Sequence, residues 1–336
     1  MNSPDTIHPE RTARSKMRQL NIQTFKIKLL LLLTLLSVTP CMYANSWIRP
    51  PGDIDIFGQI QTITVSRAET LLDVARRYDI GQDEMMLANP DVDRWLPEDG
   101  AKVVLPLRFI IPQAERAGLV INLPEMRLYY FPEPTKGQKS EIITHPVSIG
   151  RMDWNTPLGK TTVVRKQKNP TWIPPQSLRK EAIDDGRPPL PGIVPAGPDN
   201  PLGGYALYLG LSGYLIHGTN KPLGVGMRVT HGCMRLYPED IEKLFNAIPT
   251  GTPVQIVNQP IKLGWLGDLL YIELHPPLEE ENVTAHDFEQ EVHQVISEFL
   301  DKTASRKVQN IRIDQQALES AIQARNGIPT LISRDD

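Results

Sequence analysis

Two hydrophobic periods follow one another along this chain. Between Thr62 and Pro106, Ile63 and Val65 alternate with polar neighbours, as a half-buried strand does. Thr70 then stands ahead of Leu71, Leu72, Val74, Ala75 and Tyr78, an apolar stripe at helical spacing with a hydroxyl placed to accept from the first-turn amides. Asp83 to Ala88 predicts a second short helix closed by Asn89-Pro90, and Lys102 to Leu105 a strand stopped by Pro106. The expected order is strand, helix, helix, strand.

From Gly118 to Val257 the period shortens. Leu119 to Asn122, Arg127 to Phe131, Ile142 to Ile149, Lys160 to Lys166 and Ala206 to Leu211 are β-like runs bounded by Pro, Gly or Asn. Such spacing predicts a mainly β domain, a sandwich or barrel, rather than alternating strands and helices. Nine prolines fall between Pro170 and Pro201, with Gly186, Gly192 and Gly197 among them. That stretch is expected to form neither strand nor helix and to cover a functional site. Beyond Asn258, a strand from Leu270 to Leu274 leads through His275-Pro276-Pro277 to a helix whose face carries Phe288, Val292, Val295, Ile296, Phe299 and Leu300. A second helix is expected from Asp314 to Ala324. The division predicted is a leader over 1–44, a small unit over 60–106, a larger β domain over 118–257 and a helical capping subdomain over 258–336.

The leader changes the reading of compartment. Six basic residues from Arg11 to Lys28 precede the apolar run Leu29 to Val38, and small or polar residues follow to Ala44. This is the pattern of a secretory signal peptide. Ten residues are too few to cross a bilayer as a helix, which takes about 20; retention as an anchor is the alternative. Cys41 follows Pro40, a poor setting for lipidation, and is expected to leave with the leader. The 336-residue chain carries 36 basic and 39 acidic side chains. Without residues 1–44 it holds 30 and 37, a balance of −7, which argues against nucleic acid as a partner. No membrane association is expected after cleavage. Cys233 would then be the single cysteine, so neither a disulfide framework nor a four-cysteine metal site can form.

A lone thiol in an oxidising compartment is either inert or kept for reactivity. Here it lies in Thr230-His231-Gly232-Cys233-Met234-Arg235, downstream of Ile216-His217-Gly218. An imidazole beside a thiol takes its proton and later returns it to a leaving amine. His217 ends an apolar strand, Tyr214 to Ile216, which suits it to be aimed at a residue on a neighbouring loop; His231 is nearer in sequence and is the alternative base. Zinc held by His217, His231 and Cys233 would need a fourth ligand that no motif supplies, and no cofactor or metal is expected. His145 and His275 sit beside prolines at strand ends and are read as structural.

His217-Gly218 followed by Thr230-His231-Gly232-Cys233 and Arg235 resembles the YkuD family of L,D-transpeptidases. Ser148-Ile149-Gly150 and Asn155 to Gly159 are similar to the strand and turn that precede its site, and Asn169 to Pro175 with Pro195 to Leu202 to its periplasmic Gram-negative subgroup. Thr64-Val65, Glu69-Thr70-Leu71, Ala75 to Tyr78, Ala88-Asn89-Pro90 and Val104-Leu105-Pro106 resemble a LysM module, which binds glycan chains of cell walls; Ala68 replaces its usual glycine. The resemblance implies a YkuD-type β-sandwich and an exported enzyme acting on peptidoglycan. Cys233 would attack the L-centre carbonyl of meso-diaminopimelate in a tetrapeptide stem and release D-alanine. His217 would be the proton donor and acceptor, oriented by the carbonyl of Gly218. Gly232 and Cys233 amides would hold the oxyanion, and Thr230, His231 and Arg235 would shape the loop and engage substrate carboxylates. The acyl acceptor would be a second diaminopimelate, a lysine of an outer-membrane lipoprotein, a free D-amino acid or water. A non-catalytic wall-binding adaptor is the competing function.

Overall fold

The computed structural model describes residues 46–334 except 135–136, 138, 153, 155, 305 and 307–310, all within one unit of chain, Ala44–Asp336. The segment read as a leader, Cys41 included, lies outside the described residues, as does Asn155.

Near the N-terminus, β1 (Ser46–Ile48) and β2 (Ile56–Gly58) precede β3 (Gln61–Thr64), α1 (Leu71–Arg77), α2 (Gln82–Ala88), β4 (Lys102–Leu105) and β5 (Arg108–Ile110). β3 and β4 pair antiparallel, so the strand–helix–helix–strand order closes on itself. The Thr70 hydroxyl accepts from the Asp73 N–H at 3.1 Å, and the Asp73 carboxylate accepts from the Thr70 N–H at 3.0 Å. This reciprocal box satisfies two amides that the first turn of α1 leaves unpaired. At the end of α2, the Asn89 side chain donates to the Val104 carbonyl at 2.9 Å and accepts from its N–H at 2.7 Å, fastening the helix to β4.

The central part contains β6 (Gly118–Asn122), β7 (Arg127–Phe131), β8 (Glu141–Pro146), β9 (Ile149–Gly150), β10 (Gly159–Lys168), α3 (Gln176–Asp184), β11 (Tyr205–Leu209), β12 (Leu215–His217), β13 (Arg228–Thr230), β14 (Met234–Arg235), α4 (Pro238–Ala247) and β15 (Pro253–Val257). It is mainly β, as the spacing predicts. Nine strands join in the order β1-β8-β7-β6-β15-β10-β11-β12-β14, and β13 pairs with β9 separately. β10 changes partner midway: Gly159 to Thr162 pair with β15, and Val163 to Lys168 with β11, across a register shift at Val163/Arg165. Such an irregularity lets a strand bend. Leu119, Ile121, Leu128 and Tyr130 enter one core with Ile216, Met234, Leu236 and Ile241. Val120, Tyr129 and Phe131 enter a second with Leu71, Val74 and Phe109 of the N-terminal elements. Covering both faces of β6 and β7 explains why Leu119 to Ile121 and Leu128 to Phe131 are unbroken apolar runs.

The proline-rich segment departs from expectation. Residues 176–184 contain no proline, and α3 forms there directly after Pro174-Pro175. Proline tolerates the position before a first turn because its missing N–H would have no partner there. Trp172 and Val194 bridge on either side, at 2.9 and 2.8 Å. The buried Asn200 amide gathers the carbonyls of Pro170 and Pro195. The segment is thus an ordered helix in a proline frame.

The C-terminal part holds β16 (Ile261–Leu266), β17 (Leu269–Leu274), α5 (Ala285–Lys302), β18 (Arg312–Ile313), α6 (Gln315–Ala324), β19 (Thr330–Leu331) and β20 (Ser333–Arg334). Sequence reasoning misses β16 because Lys262 and Gly264 interrupt its apolar pattern. Lys262 is fully buried. Its ammonium donates to Glu125 at 2.8 Å, Glu273 at 2.6 Å and the Ile110 carbonyl at 2.8 Å. Glu273 also accepts from the Ile110 N–H at 2.6 Å and meets His275 Nε2 at 2.7 Å. One charge cluster thus ties β16 and β17 to β5 and to the β6–β7 turn. A second one joins Asp79, after α1, to His145 Nδ1 (2.8 Å), with Asp240 of α4 at 3.6 Å. Burial and then the Asp79 charge push the Asp240 carboxyl well up, whereas His145 holds Asp79 low against burial. Among the described residues no helix is long and apolar enough to cross a membrane.

Removing one member of a buried charge cluster strands the others. Lys262→Ala is expected to cost about 3–5 kcal/mol in denaturant unfolding, whereas a loss within the scatter of surface substitutions would show that the cluster is not a fastening.

Candidate active site

The site is built on the last two strands of the nine-stranded sheet. β12 runs antiparallel to β11 and parallel to β14, with Ile216 opposite Met234 and His217 opposite Arg235. A parallel neighbour needs a crossover, and residues 218–233 supply it through a 3₁₀ turn, Pro222–Gly224, and β13. The first amides of α2 hold the crossover: the Gln82 and Asp83 N–H groups donate to the Val225 and Gly226 carbonyls, each at 3.1 Å. Gly226 has φ +78°, and a Cβ there would stand 2.2 Å from the Gly81 Cα, so no other residue fits.

Hydroxyls pin the next turn. Thr230 Oγ1 donates to the Cys233 carbonyl at 2.6 Å, and Thr156 Oγ1 donates to the Gly232 carbonyl at 3.0 Å. Gly232 takes φ +93°, which turns the chain sharply into Cys233. β14 then exchanges backbone hydrogen bonds with Ser148, at 2.9 and 3.1 Å. With both carbonyls of the turn occupied, the N–H groups of Gly232 and Cys233 donate to no other described residue.

His217 is buried, 3% exposed. Its Nδ1 lies 2.6 Å from the Gly218 carbonyl oxygen, an acceptor, so Nδ1 carries the proton and Nε2 keeps its lone pair. Burial, reinforced by the Arg235 guanidinium, holds its pKa down to about 3, against the Gly218 and Leu202 carbonyls. The imidazole is therefore neutral throughout the physiological range. Burial also pushes the Cys233 thiol above its ordinary value, opposed by the Leu215 N–H and by Arg235. The thiol lies against the Gly213 carbonyl at 3.7 Å, in the β11–β12 turn. Both shifts favour a neutral thiol and a neutral imidazole at rest.

Of the residues singled out in the sequence, His217, Gly218, Thr230, Gly232, Cys233 and Arg235 gather at the β12–β14 edge. His231 turns elsewhere. Its Nε2 meets Glu181 of α3 at 2.8 Å, and its ring packs edge-on against Trp154 at 5.0 Å between centroids. With Nε2 so engaged, His231 is the weaker candidate for a base. Arg235 is partly buried, and its Nε has no hydrogen-bond partner among the described residues. An unpaired buried guanidinium nitrogen is costly, and the Arg235 charge works on the thiol against its burial. Glu181 and the Leu202 and Gly213 carbonyls escape sequence reasoning. The proline-free run of helix formers around Glu181 is the signal that would have exposed it.

Residues 116–256 match the YkuD family, described as the L,D-transpeptidase catalytic domain. The chain is 40% identical over 298 residues to a protein of Escherichia coli K12 named "Probable L,D-transpeptidase YbiS", covering 86% of this chain and 92% of that one. It is 38% identical over 294 residues to "Probable L,D-transpeptidase ErfK/SrfK" of Salmonella typhimurium, with coverage of 86% and 92%. To "Probable L,D-transpeptidase YcfS" of Escherichia coli K12 it is 35% identical over 297 residues, with coverage of 87% and 89%. With a thiol just before the strand that pairs with the one ending in His217, and relatives matched over nine-tenths of their length, the chain belongs to the YkuD L,D-transpeptidases and is an enzyme of that family.

Proposed function

We propose that the enzyme transfers an acyl group between peptidoglycan stems through a thioester on Cys233. The observation that carries this reading is the His217–Gly218 hydrogen bond, which fixes the proton on Nδ1 and leaves Nε2 to take another, on a strand paired with the one that follows Cys233. The thiol swings from the Gly213 carbonyl and attacks the L-centre carbonyl of meso-diaminopimelate while its proton passes to His217 Nε2. The C=O π pair moves onto oxygen, and the N–H groups of Gly232 and Cys233 receive that oxyanion, an interaction commonly worth about 3–4 kcal/mol of barrier. Collapse breaks the C–N bond. D-Alanine leaves as the amine with the proton from His217, and the acyl group remains on sulfur. An incoming amine then attacks the thioester carbonyl and gives its proton to His217; collapse breaks the C–S bond, and His217 returns that proton to sulfur, restoring the thiol.

A neutral resting pair suits this order. Partial burial raises the thiol and so disfavours a standing thiolate, whereas proton transfer during attack creates charge only where Arg235 and the turn amides meet it. Arg235, with its unpaired Nε, is proposed to take the carboxylate of the D-alanine or diaminopimelate centre, and Thr230 and His231 to hold the loop. Residues 60–106 are proposed to bind glycan strands as a LysM module, their support being the paired β3–β4 ladder, the Thr70 box and the matching sequence signals. The catalytic domain over 118–257, the capping role of 258–336 and a periplasmic location after leader cleavage complete the reading. A lipoprotein lysine or a second diaminopimelate is the proposed acceptor.

Incubation with a tetrapeptide donor should add one acyl mass to wild-type enzyme, none to Cys233→Ala and none to His217→Ala. Substantial acylation of His217→Ala would move the base to His231, and an unmodified wild-type thiol would leave the adaptor function. Alkylation of Cys233 by iodoacetamide should rise with pH around a midpoint above the ordinary thiol value of about 8.5. Because His217 is already neutral over that range, it should impose no step between about pH 5 and 8. A plateau of fast alkylation extending below neutrality would reveal a standing thiolate–imidazolium pair and contradict the neutral resting state.

A further inference from the structure

Among the described residues, one side chain of the cover segment binds on both sides of the Thr230–Cys233 turn. Glu181 lies on α3, 21% exposed, and both its oxygens are committed. Oε2 lies 2.8 Å from His231 Nε2, and Oε1 accepts from Arg151 Nη2 at 2.8 Å, with Arg187 Nη2 at 3.5 Å. Its two main partners flank the turn that presents the thiol. His231 precedes Gly232-Cys233, and Arg151 follows β9, where its N–H donates to the Thr230 carbonyl at 3.0 Å. A carboxylate shared between a guanidinium and an imidazole N–H is held by charge-assisted hydrogen bonds, shorter and stronger than neutral ones. One further tie reaches the start of the crossover, where the Asn220 amide donates to the Asp199 carbonyl at 3.2 Å. The others named are internal and give the cover its own shape: Arg179 donates to the carbonyls of Pro174 and Gly192, and Asn200 to those of Pro170 and Pro195.

The geometry points to Glu181 as a positioning residue that clamps the cover to both sides of the Thr230–Cys233 turn and so holds the thiol and the turn amides in register for acyl transfer. It touches no reacting atom and acts through His231 and Arg151. The clamp also gives His231 a purpose other than proton transfer. With Nε2 held by Glu181 and the ring against Trp154, the side chain is a strut between cover and loop. Loss of the clamp frees both sides. The thiol becomes more open to small reagents, while the arrangement needed for attack and oxyanion binding loosens. Those two effects have opposite signs on two measurable rates, which separates positioning from general destabilisation.

The inference rests on Cys233 being the acylated residue, and its test is chosen to survive failure of that reading. Glu181→Ala and the milder Glu181→Gln are compared with wild type in three measurements: saturation kinetics of acylation by a tetrapeptide donor, alkylation of Cys233 by iodoacetamide, and hydrogen exchange over residues 176–184. For Glu181→Ala the limiting acylation rate is expected to fall by ten- to a hundredfold, on the order set by small misplacements of reacting groups, with a smaller change in KM. Alkylation should accelerate several-fold, about as far as opening of the cover exposes the thiol, and exchange over 176–184 should rise. Glu181→Gln, which keeps the shape and loses the charge, should fall between. An acylation rate within about twofold of wild type, or acylation and alkylation falling together, would overturn the proposal. If wild type takes no acyl group from the donor, the transfer reading fails on its own. Alkylation and exchange then still decide the clamp: faster in Glu181→Ala supports it, and unchanged overturns it.

Discussion

The parallel pairing of β12 with β14 is the constraint on which the site depends. Two register pairs, Ile216 with Met234 and His217 with Arg235, set the imidazole and the residue after the thiol on adjoining strands. A ladder so short has little stability of its own, and the surroundings supply it. Ile216 and Met234 are fully buried in the central core. The Leu236 N–H donates to the His217 carbonyl at 2.9 Å, and Ser148 binds Arg235 from the other side. α4 follows immediately, anchored through Asp240 to His145 and Asp79 and through Tyr237, whose hydroxyl donates to the Ile80 carbonyl at 3.1 Å. The N-terminal elements therefore serve the site directly. Their second helix holds the crossover at Val225 and Gly226, and their core shares β6 and β7 with the sheet.

Electrostatics follow from that placement. Setting His217 in the sheet desolvates it, and a buried imidazole resists protonation. The same burial raises the thiol, so neither partner is charged at rest. Arg235 contributes the standing positive charge that acts on the thiol, and its Nε has no partner among the described residues. Under the proposed mechanism, such an arrangement stores little charge before the substrate arrives and offers donors where negative charge would develop, the condition for electrostatic acceleration of acyl transfer. Positive charge is concentrated locally in a chain whose balance is acidic.

Much of this was legible in the residues. The Thr70 cap, the helical stripe after it, the strands of the β domain and the two C-terminal helices follow from periodicity and turn residues, because local chemistry and tertiary packing agree there. The candidate dyad was legible because one thiol and one strand-ending histidine stand in a distinctive motif. What escaped depends on long-range pairing. β16 is hidden because Lys262 looks like a surface residue until Glu125 and Glu273, distant in sequence, enclose it. α3 is hidden because its prolines lie just outside its ends. Glu181 is invisible because its value comes from His231 and Arg151, brought to it by the fold.

The β12–β14 edge and the turn before it are proposed as an acyl-transfer site, and a crystal structure of the enzyme carrying a stable acyl adduct, such as one left by a carbapenem, is the decisive test. The expected adduct is a thioester on Cys233 Sγ, its carbonyl oxygen within hydrogen-bond distance of the Gly232 or Cys233 N–H, and His217 Nε2 facing the sulfur with Nδ1 still on the Gly218 carbonyl. An adduct oxygen far from those amides, with the ring of His217 turned from the sulfur, would contradict it.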